Sequence, residues 1–104
     1  MAEIVLTRAA SRQLAKIADF YQDKDPEIGE RAIGTILAAF RTVAKHPSIG
    51  RPSLDYPQHR ELVIPFGSYG YVALYRFDKP GDRLLVLDMR HQREAGYSFP
   101  DGSP

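Results

Sequence analysis

The chain has 104 residues, no Cys, and 14 Lys and Arg against 13 Asp and Glu, for a net charge of +1. That length suits one domain with one core, and 43% hydrophobic residues with interspersed charges is a globular rather than a disordered composition. Disulfides, thiolate metal sites and cysteine nucleophiles are excluded, and the charge lacks the basic surplus usual in nucleic-acid-binding domains.

Met1-Ala2-Glu3-Ile4 carries neither a basic stretch with an apolar region behind it nor a span of ~20 apolar residues. No targeting or membrane insertion is expected, and the cytoplasm is the expected location. Ile4-Val5-Leu6 is a short β-branched run followed by Thr7, whose hydroxyl can cap a helix. Ala10, Leu14, Ile17, Ala18 and Tyr21 then recur at three- and four-residue spacing, which predicts an amphipathic helix to about residue 23.

Lys24-Asp25-Pro26 breaks that helix and starts another, with Asp25 as N-cap and Pro26 in the first position, whose amide needs no partner. Its inward stripe is Ile33, Ile36, Leu37, Phe40, Val43 and Ala44, and Pro47 ends it near His46. The short link predicts a helical hairpin.

Residues 46–59 hold three Pro and one Gly, so neither helical nor strand periodicity persists through them. Beyond this loop, Arg60 to Ile64 reads as a strand, Pro65-Phe66-Gly67-Ser68 as a turn, and Tyr69 to Phe77 as a longer strand. Asp78 to Asp82 closes the next hairpin. Leu84 to Met89 is the last strand, and its continuous apolar start predicts a central position with both faces covered. The expected fold is α+β, β-α-α-β-β-β, with the helical hairpin packed on a small twisted, mostly antiparallel sheet. A single domain is expected over residues 1–97, with a turn-rich tail at 98–104.

Arg60, Arg76, Arg83, Arg90 and Arg93 fall in the C-terminal half, where a shared face is one arrangement, and so does His91, the titratable group with most chemical reach, since imidazole changes charge near neutral pH. His91, Glu61 and Tyr97, with Arg76 and Arg90, supply the residue types for metal-independent RNA cleavage: a base for the 2′-hydroxyl, an acid for the leaving oxygen and cations for the phosphoryl charge. A His at a strand end equally serves a structural hydrogen bond. Tyr69, Tyr71, Tyr75 and Phe77 alternate onto one face, where core packing is the ordinary role and a stacking platform the other. His46, His59 and His91 are too scattered in sequence for a zinc site, and no phosphate-cradling glycine loop or G-x-S-x-G elbow occurs. No metal or cofactor is expected.

Three passages resemble the RelE/ParE toxins, particularly the ParE branch: His46-Pro47-Ser48-Ile49-Gly50-Arg51-Pro52, similar to an H-P-x-x-G-R-P turn; Arg60-Glu61-Leu62 with Tyr69 to Phe77, similar to an R-E-L … Y … Y-R hairpin; and Leu85 to Glu94, closing in Arg90-His91-Gln92-Arg93-Glu94. Their order matches the predicted elements over residues 3–97. In the loop, Pro47, Gly50 and Pro52 stop the helix and redirect the chain, and Arg51 is placed to meet a partner.

The resemblance implies the toxin of a type II toxin–antitoxin pair, neutralised by a cognate antitoxin and touching operator DNA only through it. The ParE likeness implies inhibition of DNA gyrase without catalysis, with Arg60, Arg76, Arg90, His91 and Arg93 as target contacts. The alternative it implies is a RelE-like interferase acting on the ribosome and its mRNA. RelE-like ribonucleases tend to carry Arg where this chain has Tyr71. A third possibility is an inactive relative kept as an antitoxin partner.

Overall fold

The computed structural model describes residues 2–93; Glu94, Tyr97 and the expected 98–104 tail lie outside the described residues. Thr7 joins the first two elements, strand β1 (Glu3–Leu6) and helix α1 (Arg8–Gln22). Its side-chain oxygen accepts from the Ala10 amide at 3.1 Å, meeting one of the amides that a helix start leaves without a partner. Helix α2 (Pro26–Lys45) begins as the sequence predicts, with the Asp25 carboxylate accepting from the Ile28 amide at 3.2 Å. Glu27 in its first turn and Lys45 in its last complement the helix dipole. The two helices approach closely at Gly29, where an added Cβ would lie 2.7 Å from Tyr21 Cβ.

The sheet continues with β2 (Arg51–Pro52), β3 (Arg60–Phe66), β4 (Tyr69–Asp78) and β5 (Arg83–His91). Its spatial order is β1-β5-β4-β3-β2. β1 forms an edge, parallel to β5, while β2 to β5 pair antiparallel. The two-residue β2 lies in what reads as loop, because Arg51 and Pro52 pair with Glu61 and Arg60 at the other edge, where a proline interrupts nothing. β3 runs on through Pro65 and Phe66, leaving Gly67-Ser68 as the turn, with Gly67 at φ 62°.

The helices cover one face of this sheet. Ile36, Phe40 and Val43 of α2 pack with Ile64, Tyr71, Tyr75, Leu84, Val86 and Met89 from the strands, all within a few per cent of complete burial. Two expectations are corrected. Ala18 is exposed rather than inward. In β5, Leu85 and Leu87 are only half-buried, since the helices pack against a single face.

β5 also carries an irregularity absent from its sequence pattern. Leu74 of β4 faces Asp88 and Tyr75 faces Val86, so Leu87 is an extra, bulged residue. The Thr7 hydroxyl donates to its carbonyl. The bulge reverses the alternation of side chains, so Leu84 and Val86 before it and Met89 and His91 after it share the helix-covered face. No described helix is long and apolar enough to cross a membrane.

Candidate functional site

Residues 46–52 form a clamped turn. The Tyr75 hydroxyl, rising from β4, donates to the Pro47 carbonyl at 2.6 Å and accepts from the Gly50 amide at 2.9 Å. Arg60 donates to the Gly50 carbonyl at 2.8 Å, and Arg51 forms an ion pair with Glu61 at 3.1 Å. Gly50 is required by space: a Cβ there would lie 2.5 Å from the Tyr75 hydroxyl oxygen and 2.8 Å from the Glu61 carbonyl oxygen. Burial raises the Tyr75 pKa, against the opposing pull of the Gly50 amide and the Arg60 charge. His46 caps α2 through its amide, and its ring side is exposed.

A second constellation gathers at the carboxyl end of β5. His91 stands opposite Tyr71, its ring edge-on to that phenol at 5.7 Å between centroids and 5.9 Å from Tyr69. The Arg93 amide donates to His91 Nδ1 at 3.2 Å, which places the ring proton of the neutral form on Nε2. The Arg93 guanidinium lies 4.6 Å over the Tyr69 ring, a cation–π contact. The Gln92 amide donates to the Gly70 carbonyl at 2.9 Å, and the Arg90 guanidinium reaches the His91 and Gln92 carbonyls at 3.4 Å.

Beneath this group, the Tyr71 and Tyr21 side chains share a hydrogen bond, and burial foremost, with Tyr21 adding to it, pushes the Tyr71 pKa from 10.0 up to about 12. Between α1 and this end of the sheet lies a half-open cleft of about 290 Å³, floored by Ile17, Tyr71 and Met89 and bordered by Lys16, Phe20 and His91. The aromatic set expected on one face of β4 therefore divides. Tyr71 and Tyr75 are core residues, whereas Tyr69 is 48% exposed.

The structure separates the residues that sequence grouped together. Arg76 faces Leu85 and Arg90 faces Val72, which puts four residues of β4, about 13 Å, between the two register positions. Arg60 stands opposite Tyr75 at the loop end and is bonded to that loop. Glu61 pairs with Leu74, on the face away from the helices, and His91 pairs with Tyr71, on the face beneath them. Arg93 stays beside His91, whereas Arg90, opposite Val72, falls on the face away from the helices although its guanidinium reaches the His91 and Gln92 carbonyls; Tyr97 lies outside the described residues. Among the described residues no three His, Asp or Glu side chains gather to hold a metal ion. Sequence reasoning did not identify Lys16, Phe20 and Tyr21 as neighbours of His91; only the helical spacing of Ile17 and Tyr21 hinted at it.

Comparison with known proteins agrees with this architecture. Residues 4–96 match the family described as the ParE toxin of type II toxin–antitoxin systems, parDE. A curated relative, Toxin RelE3 of Caulobacter vibrioides, is 32% identical over 94 residues, covering 90% of this chain and 98% of its own. Among solved structures, the chromosomal ParDE system from P. aeruginosa has a TM-score of 0.70 at 24% identity, over 88% of this chain and 96% of that one. The intact E. coli RelBE toxin–antitoxin complex has a TM-score of 0.62 at 14% identity, over 90% and 99%. The two structures share the fold; the family match and the Caulobacter relative carry the kinship. The chain belongs to the RelE/ParE family of type II toxin–antitoxin toxins, with its family match on the ParE side.

Proposed function

We propose that this chain is a ParE-like toxin that stops replication by binding DNA gyrase, without chemistry of its own, and that a cognate antitoxin neutralises it. The observation that carries the non-catalytic reading is the placement of Glu61 and His91 on opposite faces of the sheet. An acid and a base serving one phosphodiester must both come within hydrogen-bond reach of it, and the sheet stands between these two. The register distance between Arg76 and Arg90 likewise spreads the cations that would have to converge on one phosphoryl group.

The match to the ParE family supports gyrase as the target. The antitoxin partner follows by analogy with the ParDE and RelBE assemblies. His91 and Arg93 form the centre of the proposed contact surface, with Arg90 at the same strand end on the other face of the sheet and Arg76 and Arg60 farther along it. Operator DNA is reached through the antitoxin.

Ribosome-dependent mRNA cleavage is the second reading. It is favoured by the name of the Caulobacter relative, RelE3, and by the nearness of Arg93 to His91. Purified protein added to a gyrase supercoiling reaction tests the first reading: loss of supercoiling with accumulation of cleaved plasmid supports it. Unchanged supercoiling, with cleavage of mRNA on translating ribosomes, would replace it with the second.

A further inference from the structure

We infer that the outer edge of β1 is a self-association surface, where a second copy of this chain lays its own β1 antiparallel so that one sheet runs through both molecules. The inference is independent of the target reading above. Among the described strands β1 pairs with β5 alone. The Glu3 amide donates to the Asp82 carbonyl at 3.0 Å and the Thr7 amide to the Val86 carbonyl at 3.1 Å. The odd-numbered residues thus turn their backbone groups toward β5, and Ile4 and Leu6 turn theirs outward. Such a row of donors and acceptors is a template for another strand.

The sheet guards its two edges differently. At the far edge β2 has two residues, one of them Pro52, and the stretch of β3 that β2 leaves uncovered contains Pro65, which has no amide to offer. β1 is Glu3-Ile4-Val5-Leu6, with two β-branched residues, no proline or lysine, and an unbroken register with β5.

Charge selects a second copy as the occupant. β1 begins beside Glu3 and Asp82 and leads out to Arg8 and Arg12, all four exposed. Lys79 and Arg83 stand in the same hairpin as Asp82, and Arg83 is held by Asp78 at 2.8 Å. Antiparallel pairing about a two-fold axis at Val5 sets Ile4 against Leu6 of the other copy and Glu3 against Thr7. The acidic end of each strand then meets the basic end of its mate. Both faces of the joint are apolar: Ile4 and Leu6 lie half-buried on the helix side, and Val5 lies beside Leu85 on the open side. Such a pairing supplies about four backbone hydrogen bonds, so the dimer is weak, with a dissociation constant of about 10 µM to 1 mM.

The test uses the full chain without antitoxin. Sedimentation equilibrium reads the association, and amide exchange reads its place. A reversible dimer is expected, with exchange at Ile4 and Leu6 slowing as concentration rises while exchange at Val63, on the other edge, stays constant. Val5→Lys, which sets two ammonium groups at the axis, is expected to weaken the dimer by about tenfold or more. Glu3→Arg alone is expected to weaken it by about threefold, and Glu3→Arg combined with Arg8→Glu to restore it. Circular dichroism verifies that each variant remains folded.

A monomer throughout that concentration range overturns the inference. So does a dimer that folded Val5→Lys leaves unchanged, or one that slows exchange at Val63 instead. Protection of Ile4 and Leu6 that arises solely when the antitoxin is added would assign the edge to the antitoxin and overturn the inference too.

Discussion

Tyr75 and Gly50 are 25 residues apart in sequence and joined through the phenol oxygen, which accepts the Gly50 amide at 2.9 Å while donating to the Pro47 carbonyl at 2.6 Å. One hydroxyl thereby fixes the turn that leads from α2 to the edge of the sheet. Tyr75→Phe removes both bonds and leaves a buried amide without its acceptor, which should cost about 1–3 kcal/mol. Gly50→Ala should cost at least as much, because its Cβ meets the Tyr75 phenol and the Glu61 backbone. Urea unfolding measures both; a midpoint unchanged by Tyr75→Phe would show that the clamp contributes little.

Gly70 adopts φ 138°, and a Cβ there would lie 2.3 Å from the Ile64 carbonyl oxygen. Gly70→Ala combines backbone strain with a clash against β3 and should destabilise by about 2 kcal/mol or more. Its carbonyl also holds the Gln92 amide, so the same change should loosen the segment bearing Arg90, His91 and Arg93. Faster amide exchange at Gln92 is the expected sign, and unaltered exchange would refute that coupling.

Tyr71 gives the fold an alkaline limit. Its folded pKa of about 12 stands above the ordinary 10.0, so between these values the folded state keeps a proton that the unfolded state releases. The contribution is complete below about pH 10 and is lost as pH rises toward 12, amounting to at most roughly 2–3 kcal/mol. Tyr71→Phe should flatten the fall in unfolding free energy between pH 9 and 11.5 (roughly the span those pKa values define), although Tyr75, also raised, will retain part of it. An equal slope in both proteins would contradict the assignment.

His91→Gln distinguishes contact from catalysis. Loss of a proton-transfer group typically reduces a rate by about 10²–10⁴-fold. A contact residue replaced by another hydrogen-bonding side chain should reduce growth arrest by no more than about tenfold, equivalent to about 1.4 kcal/mol. Arg93→Glu, which reverses charge on the same surface, should weaken arrest further. Complete loss of arrest in folded His91→Gln would instead support the ribonuclease reading.

Much of the fold was legible because its local signals agree. Thr7 and Asp25 cap the two helices, Pro26 and Pro47 bound the second, and Ile36, Phe40 and Val43 mark its buried stripe. The bulge at Leu87 was not legible, since it arises from pairing across strands and from the Thr7 hydroxyl bound to the Leu87 carbonyl. That one irregularity decides the face on which His91 lies, and with it the neighbours Tyr21 and Phe20. Arg60 and Arg76 looked like members of one cluster because sequence proximity says nothing about register. Pairing with Tyr75 and Leu85 places them toward the other end of the strands.

The most direct test of the central claim is brief induction of the toxin without antitoxin in a susceptible bacterium, with pulse labelling of DNA and protein synthesis within minutes. A prompt fall in DNA synthesis while translation continues is the predicted result. Early translation arrest with replication initially intact would contradict gyrase inhibition and support mRNA cleavage, and labelling unchanged in both would contradict toxicity itself.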